Sequence, residues 1–192
     1  MTNHKDIELS QGHTALLVVD VQNGFVNTKS EKILAPLGRL LDNWNGIDPV
    51  FFTKFQNLPG SNWETMIGWR RLRESPETDF HPSIVPYLTL GTVVEKANMY
   101  SSLTGEFLQT LRNSEIDNVV ICGIATESCV LATALAVFEY APRRVRPIVL
   151  SDAVASHAGD EAHQAGMLTL ERFIGRNQIC TVNEVLSSVR AR

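Results

Sequence analysis

Three side chains of reactive type stand just beyond apolar, β-branched runs of the chain. Asp20 follows ALLVV, Lys96 closes TVVEK, and Cys129 lies six residues after NVVICG. A thiol becomes a nucleophile when a base takes its proton, and a buried base stays ionised when an opposite charge lies beside it. An aspartate, a lysine and a cysteine in one place supply those parts, and the chemistry they would perform is attack on a carbonyl carbon. Each also has a plainer reading: Asp20 and Lys96 as a structural ion pair, Cys129 as a packed helix residue. Against these stands their common position at one edge of whatever sheet the apolar runs form.

Cys129 has a second feature. The segment ESCVLATALAVFEY reads as a helix apolar on nearly all sides, with Thr126 suited to its N-cap, so Cys129 falls in the first turn. Unpaired backbone N–H groups and the helix dipole favour negative charge there, and they predict a thiol pKa below the free value of about 8.5. Cys122 and Cys180 lie inside apolar strand runs and read as small buried hydrophobes.

The elements that must position these residues are legible in the periodicity. Continuous apolar runs predict six strands: Ala15–Asp20, Val50–Lys54, Thr92–Lys96, Asn118–Gly123, Pro147–Asp152 and Gln178–Val182. Helical stripes alternate with them. Ile33, Leu34, Leu37, Leu40, Leu41 and Trp44 form one, with Pro36 in its first turn; Leu103, Phe107, Leu108 and Leu111 form a second; Ala162, Gly166, Leu170 and Phe173 form a third that Gly175 could end. Strands alternating with helices define an open, doubly wound, mostly parallel sheet, in which ligands collect beyond the carboxyl ends of the strands. The stretch from Gln56 to Leu90, rich in turn formers and carrying Trp63, Trp69 and Tyr87, fits this scheme poorly and reads as a lid or a subunit contact.

Bulk properties narrow the function. A chain of 192 residues with 44% hydrophobic and 20% charged residues predicts one globular domain spanning residues 1–192. A net charge of −4 and a pI near 5.7 argue against nucleic acid, and the short basic clusters at Arg70, Arg71, Arg73 and Arg143, Arg144, Arg146 read as solvated faces or oligomer contacts. The first residues carry neither a secretory nor a transit pattern, and no apolar run approaches ~18 residues, so a cytoplasmic protein without a membrane partner is expected. Three cysteines without framework spacing argue against a disulfide scaffold. After VVD the chain reads VQNGF, which lacks the G-x-G-x-x-G of a dinucleotide site.

Four blocks, TALLVVDVQNGF (Thr14 to Phe25), VVEKANMYSSLTGEFLQTLR (Val93 to Arg112), VVICGIATESCVLATA (Val119 to Ala134) and VLSDAVASH (Val149 to His157), resemble the isochorismatase-like cysteine hydrolases in content and order. The resemblance implies a three-layer α/β/α sandwich around a six-stranded Rossmann-like sheet, with Asp20, Lys96 and Cys129 as the catalytic triad. It also implies a cis peptide between Ile124 and Ala125, an oxyanion hole formed by the backbone N–H groups of Ala125 and Cys129, and a homo-oligomer, dimer or tetramer. The expected reaction is cleavage of a C–N bond in a small amide, ureide or carbamoyl substrate through a thioester. Gln22, Phe25 and Tyr100, which follow the charged positions, are expected to line the pocket, with Trp63 and Trp69 closing it.

The family contains other chemistries. One branch lacks the cysteine and hydrolyses the vinyl ether of isochorismate; Cys129 argues for acyl chemistry instead. The nicotinamidase branch holds a metal with an Asp-x-His after the second strand and a later histidine. Here that region reads TKFQN (Thr53 to Asn57), His157 and His163 are six apart, His81 stands alone, and His4 and His13 precede the core. No metal and no cofactor are therefore expected. A metal-dependent nicotinamidase-type amidase is the weaker enzymatic alternative, and an interaction protein that kept the fold without the chemistry is the non-enzymatic one.

Overall fold

The computed structural model describes residues 13–44, 49–97, 107, 111, 115–140 and 145–190. Among them six strands form one parallel sheet: β1 His13–Val19, β2 Val50–Phe55, β3 Thr92–Lys96, β4 Ile116–Ile124, β5 Arg146–Ala155 and β6 Ile179–Cys180, in the order β3-β2-β1-β4-β5-β6. The helices are α1 Leu34–Asp42, α2 Asn62–Ile67, α3 Leu131–Tyr140, α4 Asp160–Phe173 and α5 Val182–Arg190. Helix α1 packs on α5 and α3 packs on α4, which leaves a helical layer on each face of the sheet. The expected doubly wound α/β/α architecture is the one observed. Ala15 to Val19 on β1 and Asn118 to Ile124 on β4 are buried without alternation, as strands covered on both faces must be.

The strand order reverses between β1 and β4, which are neighbours although the chain leaves them in opposite directions. A crevice opens at such a switch point, beyond the carboxyl ends of the strands. Close approach of the two strands there depends on Gly123, whose φ is 116° and on which a Cβ would press into the Val19 carbonyl.

Strand and helix ends differ from the sequence reading for local reasons. β6 keeps only Ile179 and Cys180, because Thr181 and Glu184 form a reciprocal capping box that draws Val182 into α5. Thr126 does not cap a helix with its side chain: the chain runs through a π-helical turn, Thr126–Val130, before α3, and the Thr126 hydroxyl is bonded to His163 instead. In the second predicted helix Phe107 and Leu111 are helical and buried, while Leu103 and Leu108 lie outside the described residues.

The irregular stretch after β2 folds back onto the strand ends. Asn57 donates to the carbonyls of Trp69 and Arg71, Glu77 accepts from the Leu72 amide and pairs with Arg71, and Glu64 pairs with Arg70 and Arg73. Much of the expected solvated basic face is thus spent on local carboxylates. Leu72 is wholly buried beneath this segment, and backbone bonds from Asn23 to Asp79, Gly24 to Glu77 and His81 to Val21 pin it to the loop after β1.

Candidate active site

Asp20 is the first residue past β1 and takes a left-handed backbone conformation, φ 49°. Its Oδ1 accepts a hydrogen bond from the Thr53 hydroxyl at 2.6 Å, and its Oδ2 lies 2.8 Å from Lys96 Nζ at the end of β3. The two side chains are 0% and 1% exposed, so this ion pair is sheltered from water and salt. Cys129, itself 1% exposed, lies within the fields of the Asp20 carboxylate and of Lys96, close enough for both to act on its thiol. The structure therefore brings Asp20, Lys96 and Cys129 together from the ends of three different strands.

The electrostatics of the sulfur reverse one expectation. Burial, and after it the negative charge of Asp20, push the Cys129 thiol up to about 12; Lys96 and the Ser128 hydroxyl, 3.9 Å from Sγ, pull the other way without prevailing. The helix-terminus effect is outweighed because desolvation in a closed site penalises the anion more than a turn of amide dipoles repays. At neutral pH the resting sulfur holds its proton, and an acceptor must take it as the reaction proceeds. Cys122 is raised by burial as well, and Cys180 is pushed up to about 12, first by burial; both are inert by position.

The turn that carries Cys129 is held from two sides. Upstream, the Ile124–Ala125 bond is cis, Ala125 is extended, and its carbonyl accepts from the amides of Ser128 and Val130 at 3.1 Å each. From α4, His163 Nδ1 meets the Thr126 hydroxyl at 2.8 Å, and Gly166 lets the helix backbone touch the turn: a Cβ there would stand 2.7 Å from the Glu127 nitrogen. Gly166→Ala is expected to push α4 and the turn apart, lowering kcat/KM by about tenfold or more, since small displacements of a reacting group are costly. Steady-state kinetics alongside a thermal melt will check this; unchanged kcat/KM refutes the link between α4 and the nucleophile.

The expected substrate contacts fare differently. Gln22 is 0% exposed, and its amide donates to the carbonyls of Phe55 and Thr78 and accepts from the Phe55 amide. With both N–H donors spent on backbone it ties the loop after β1 to β2, and this corrects its assignment to substrate. Phe25 is 4% exposed, stacked on Trp69 with centroids 6.5 Å apart and tilted against Phe55 and His157. Trp63 sits at the start of α2, half-buried against the core. Phe25 and Trp69 form an aromatic wall beside the site, and Tyr100 lies outside the described residues.

The region compared with the nicotinamidase metal motif is committed to other contacts. Thr53 is on Asp20, Phe55 is in the aromatic cluster, and Asn57 holds the Trp69 and Arg71 carbonyls. Those residues do not fit a metal. No group of three or more His, Cys, Asp or Glu side chains converges among the described residues.

Sequence reasoning missed Thr53, the Thr126–His163 bond, and the bond from Ser156 Oγ to Glu127 Oε1 at 2.7 Å. A hydroxyl inside the apolar run VFFTKF was the available signal for Thr53. His157 and His163 are both held below the ordinary histidine range. In each case burial is the main cause; Arg71 adds to it for His157 and Lys32 for His163, while Glu127 opposes at both and Asp160 at His163. Both rings stay neutral where the unfolded chain already takes up protons. Stability is therefore complete above about pH 6.5 and falls as pH drops below it. Urea unfolding midpoints should be lower at pH 5.5 than at pH 7.5; an equal or higher midpoint at pH 5.5 contradicts the linkage.

A six-stranded parallel sheet with this site at its switch point is the isochorismatase-type fold, and the isochorismatase domain family matches residues 14–183. The chain belongs to the isochorismatase family. It is 29% identical over 202 residues to the ureidoacrylate amidohydrolase RutB of Pseudomonas syringae pv. syringae strain B728a, covering 88% of this chain and 81% of that protein. An isochorismatase-like hydrolase from Alkaliphilus metalliredigens superposes with a TM-score of 0.78 at 23% identity, covering 92% of this chain and 99% of the other. The N-carbamoylsarcosine amidase of Thermoplasma acidophilum superposes with a TM-score of 0.74 at 24% identity, covering 89% and 97%.

Proposed function

We propose that this chain is a single-domain cysteine amidohydrolase whose nucleophile is Cys129, whose base is Asp20 and whose charge-balancing cation is Lys96. The chain is a hydrolase of carbon–nitrogen bonds other than peptide bonds. The observation that carries the cysteine mechanism is the buried Asp20 carboxylate, paired at 2.8 Å with Lys96 and close enough to the buried Cys129 thiol for its charge to act on it. A thiol at about 12 attacks only if its proton leaves as the S–C bond forms, and Asp20 is the acceptor in contact with it.

In the first half-reaction the proton passes from Sγ to Asp20 as the sulfur adds to the substrate carbonyl carbon. The developing oxyanion is received by the backbone N–H groups of Ala125 and Cys129, donors of a kind worth about 2.7–4 kcal/mol each in other enzymes. Asp20 returns the proton to the departing nitrogen, which leaves as ammonia or an amine, and a thioester remains on Cys129. In the second half-reaction Asp20 accepts a proton from water as the water oxygen adds to the thioester carbonyl; the C–S bond then breaks, Asp20 returns that proton to Sγ, and the acid leaves with the thiol and the base regenerated. Lys96, 2.8 Å from Asp20 Oδ2, balances the carboxylate charge in a site closed to water.

The names of the relatives, ureidoacrylate amidohydrolase and N-carbamoylsarcosine amidase, support ureido and carbamoyl compounds as the first substrates to try. A panel of small ureides, carbamoyl amino acids and simple amides is scored for ammonia release, and the active ones are quenched in acid and weighed intact. The expected result is ammonia from at least one compound and a mass increase equal to its acyl group, localised to Cys129. Ammonia release with no adduct under single-turnover conditions, together with an active Cys129→Ala variant, overturns the covalent route.

A further inference from the structure

We infer that Thr53 is a positioning residue of the reaction, fixing the Asp20 carboxylate through Oδ1 so that Oδ2 stays directed at Lys96; this rests on the proposed role of Asp20 as base. Thr53 lies on β2 and is 0% exposed. Its hydroxyl donates to Asp20 Oδ1 at 2.6 Å and accepts from the Asp20 backbone N–H at 3.0 Å. Accepting that N–H settles where the hydroxyl proton points, because the donor has one hydrogen and the carboxylate is the acceptor beside it.

The arrangement does two things at once. The β1–β2 pairing is recorded through Val18 and Phe52, and the hydroxyl of the next β2 residue serves the Asp20 amide. Asp20, turned into the left-handed region, keeps a partner for its N–H while its side chain swings toward the crevice. The carboxylate is then held at both oxygens, Oδ1 by Thr53 and Oδ2 by Lys96. Without Thr53 one anchor remains, and a carboxylate free to rotate about Cβ–Cγ spends part of its time with neither oxygen directed at the sulfur. A base that shuttles a proton four times in each turnover is sensitive to such a loss of alignment.

The test uses Thr53→Val, which keeps the shape and deletes the hydroxyl, with Thr53→Ser and Thr53→Ala beside it on the full-length chain. Thr53→Val is expected to lower kcat by about 30- to 100-fold with KM within twofold of wild type, and Thr53→Ser to restore kcat to within about threefold. Thr53→Ala, which removes the oxygen and leaves room rather than a misplaced methyl, should fall with Thr53→Val and serves in its place if the valine variant does not fold. Near wild-type kcat in either oxygen-free variant refutes the inference, and so does a loss shared equally by the serine variant. Asp20→Asn and Cys129→Ala are measured in parallel. If they retain activity, the reading of the base and nucleophile has failed; if they are inactive while Thr53→Val is active, only the role of Thr53 has failed.

Discussion

Cys129→Ala is expected to reduce ammonia release to the buffer background, a loss of at least about 10³-fold, while the protein keeps its fold. The magnitude follows from what the sulfur does. In the proposed mechanism it forms the bond that splits one difficult displacement into two easier steps, and an alanine at that position offers no electron pair. The structural cost is small because one atom is removed from a buried position, which costs on the order of 1 kcal/mol through lost packing. Cys129→Ser should be nearly as inactive despite keeping a group that can hydrogen bond Asp20. A hydroxyl is a far weaker nucleophile than sulfur, and its proton is harder for a carboxylate to remove. Activity within tenfold of wild type in the alanine variant would end the case for covalent catalysis. The same geometry predicts that iodoacetamide alkylates Cys129 slowly at pH 7.5. Its sulfur is 1% exposed and pushed up to about 12, so the resting site holds thiol and not thiolate.

Lys96→Met carries the second large effect, on stability and activity together. Removing one member of a buried ion pair leaves the other charge uncompensated, which typically costs about 3–5 kcal/mol. The Asp20 carboxylate would then sit between Thr53 and the thiol with no cation, in a site where both partners are 0–1% exposed. Unfolding in urea should show the loss directly, and turnover should disappear because the carboxylate loses both its counter-charge and one of its two anchors. Asp20→Asn strands the lysine in the converse way. The double variant Asp20→Asn/Lys96→Met should be more stable than the sum of the single losses allows, by well over 1 kcal/mol of coupling, yet remain inactive. Additive stability losses would mean that the pair is not energetically coupled, and the charge-balance role of Lys96 would fall with it.

The layout of the sheet was legible because strands buried on both faces read as nearly unbroken apolar runs, and ALLVV and NVVICG are such runs, whereas TVVEK is the half-exposed edge strand β3. Their ends were less so. Whether Val182 belongs to β6 or α5 is decided by a capping box whose free energy competes with one ladder bond, and that competition is settled by neighbours. The insert between β2 and β3 carried clear turn signals, but only the folded chain reveals that it is pinned to the loop after β1 through Asp79, Glu77 and Val21 backbone contacts. Gln22 illustrates the limit on side chains. Its proximity in sequence to Asp20 suggested a substrate contact, whereas three backbone bonds to residues 33 and 56 positions away consume its amide.

By itself the sequence determined the class of fold, the positions of Asp20, Lys96 and Cys129 at strand ends, and the membership of a hydrolase family, because periodicity and short motifs are properties of neighbouring residues. The tertiary structure alone decided that Thr53 holds Asp20, that α4 steadies the Thr126–Val130 turn through His163 and Gly166, and that burial pushes the Cys129 thiol up instead of down. Those outcomes depend on which groups meet across the fold and on how completely water is excluded from them. A desolvation penalty is a property of the assembled interior, and it outweighed the local helix-terminus effect that the residues around Cys129 suggested.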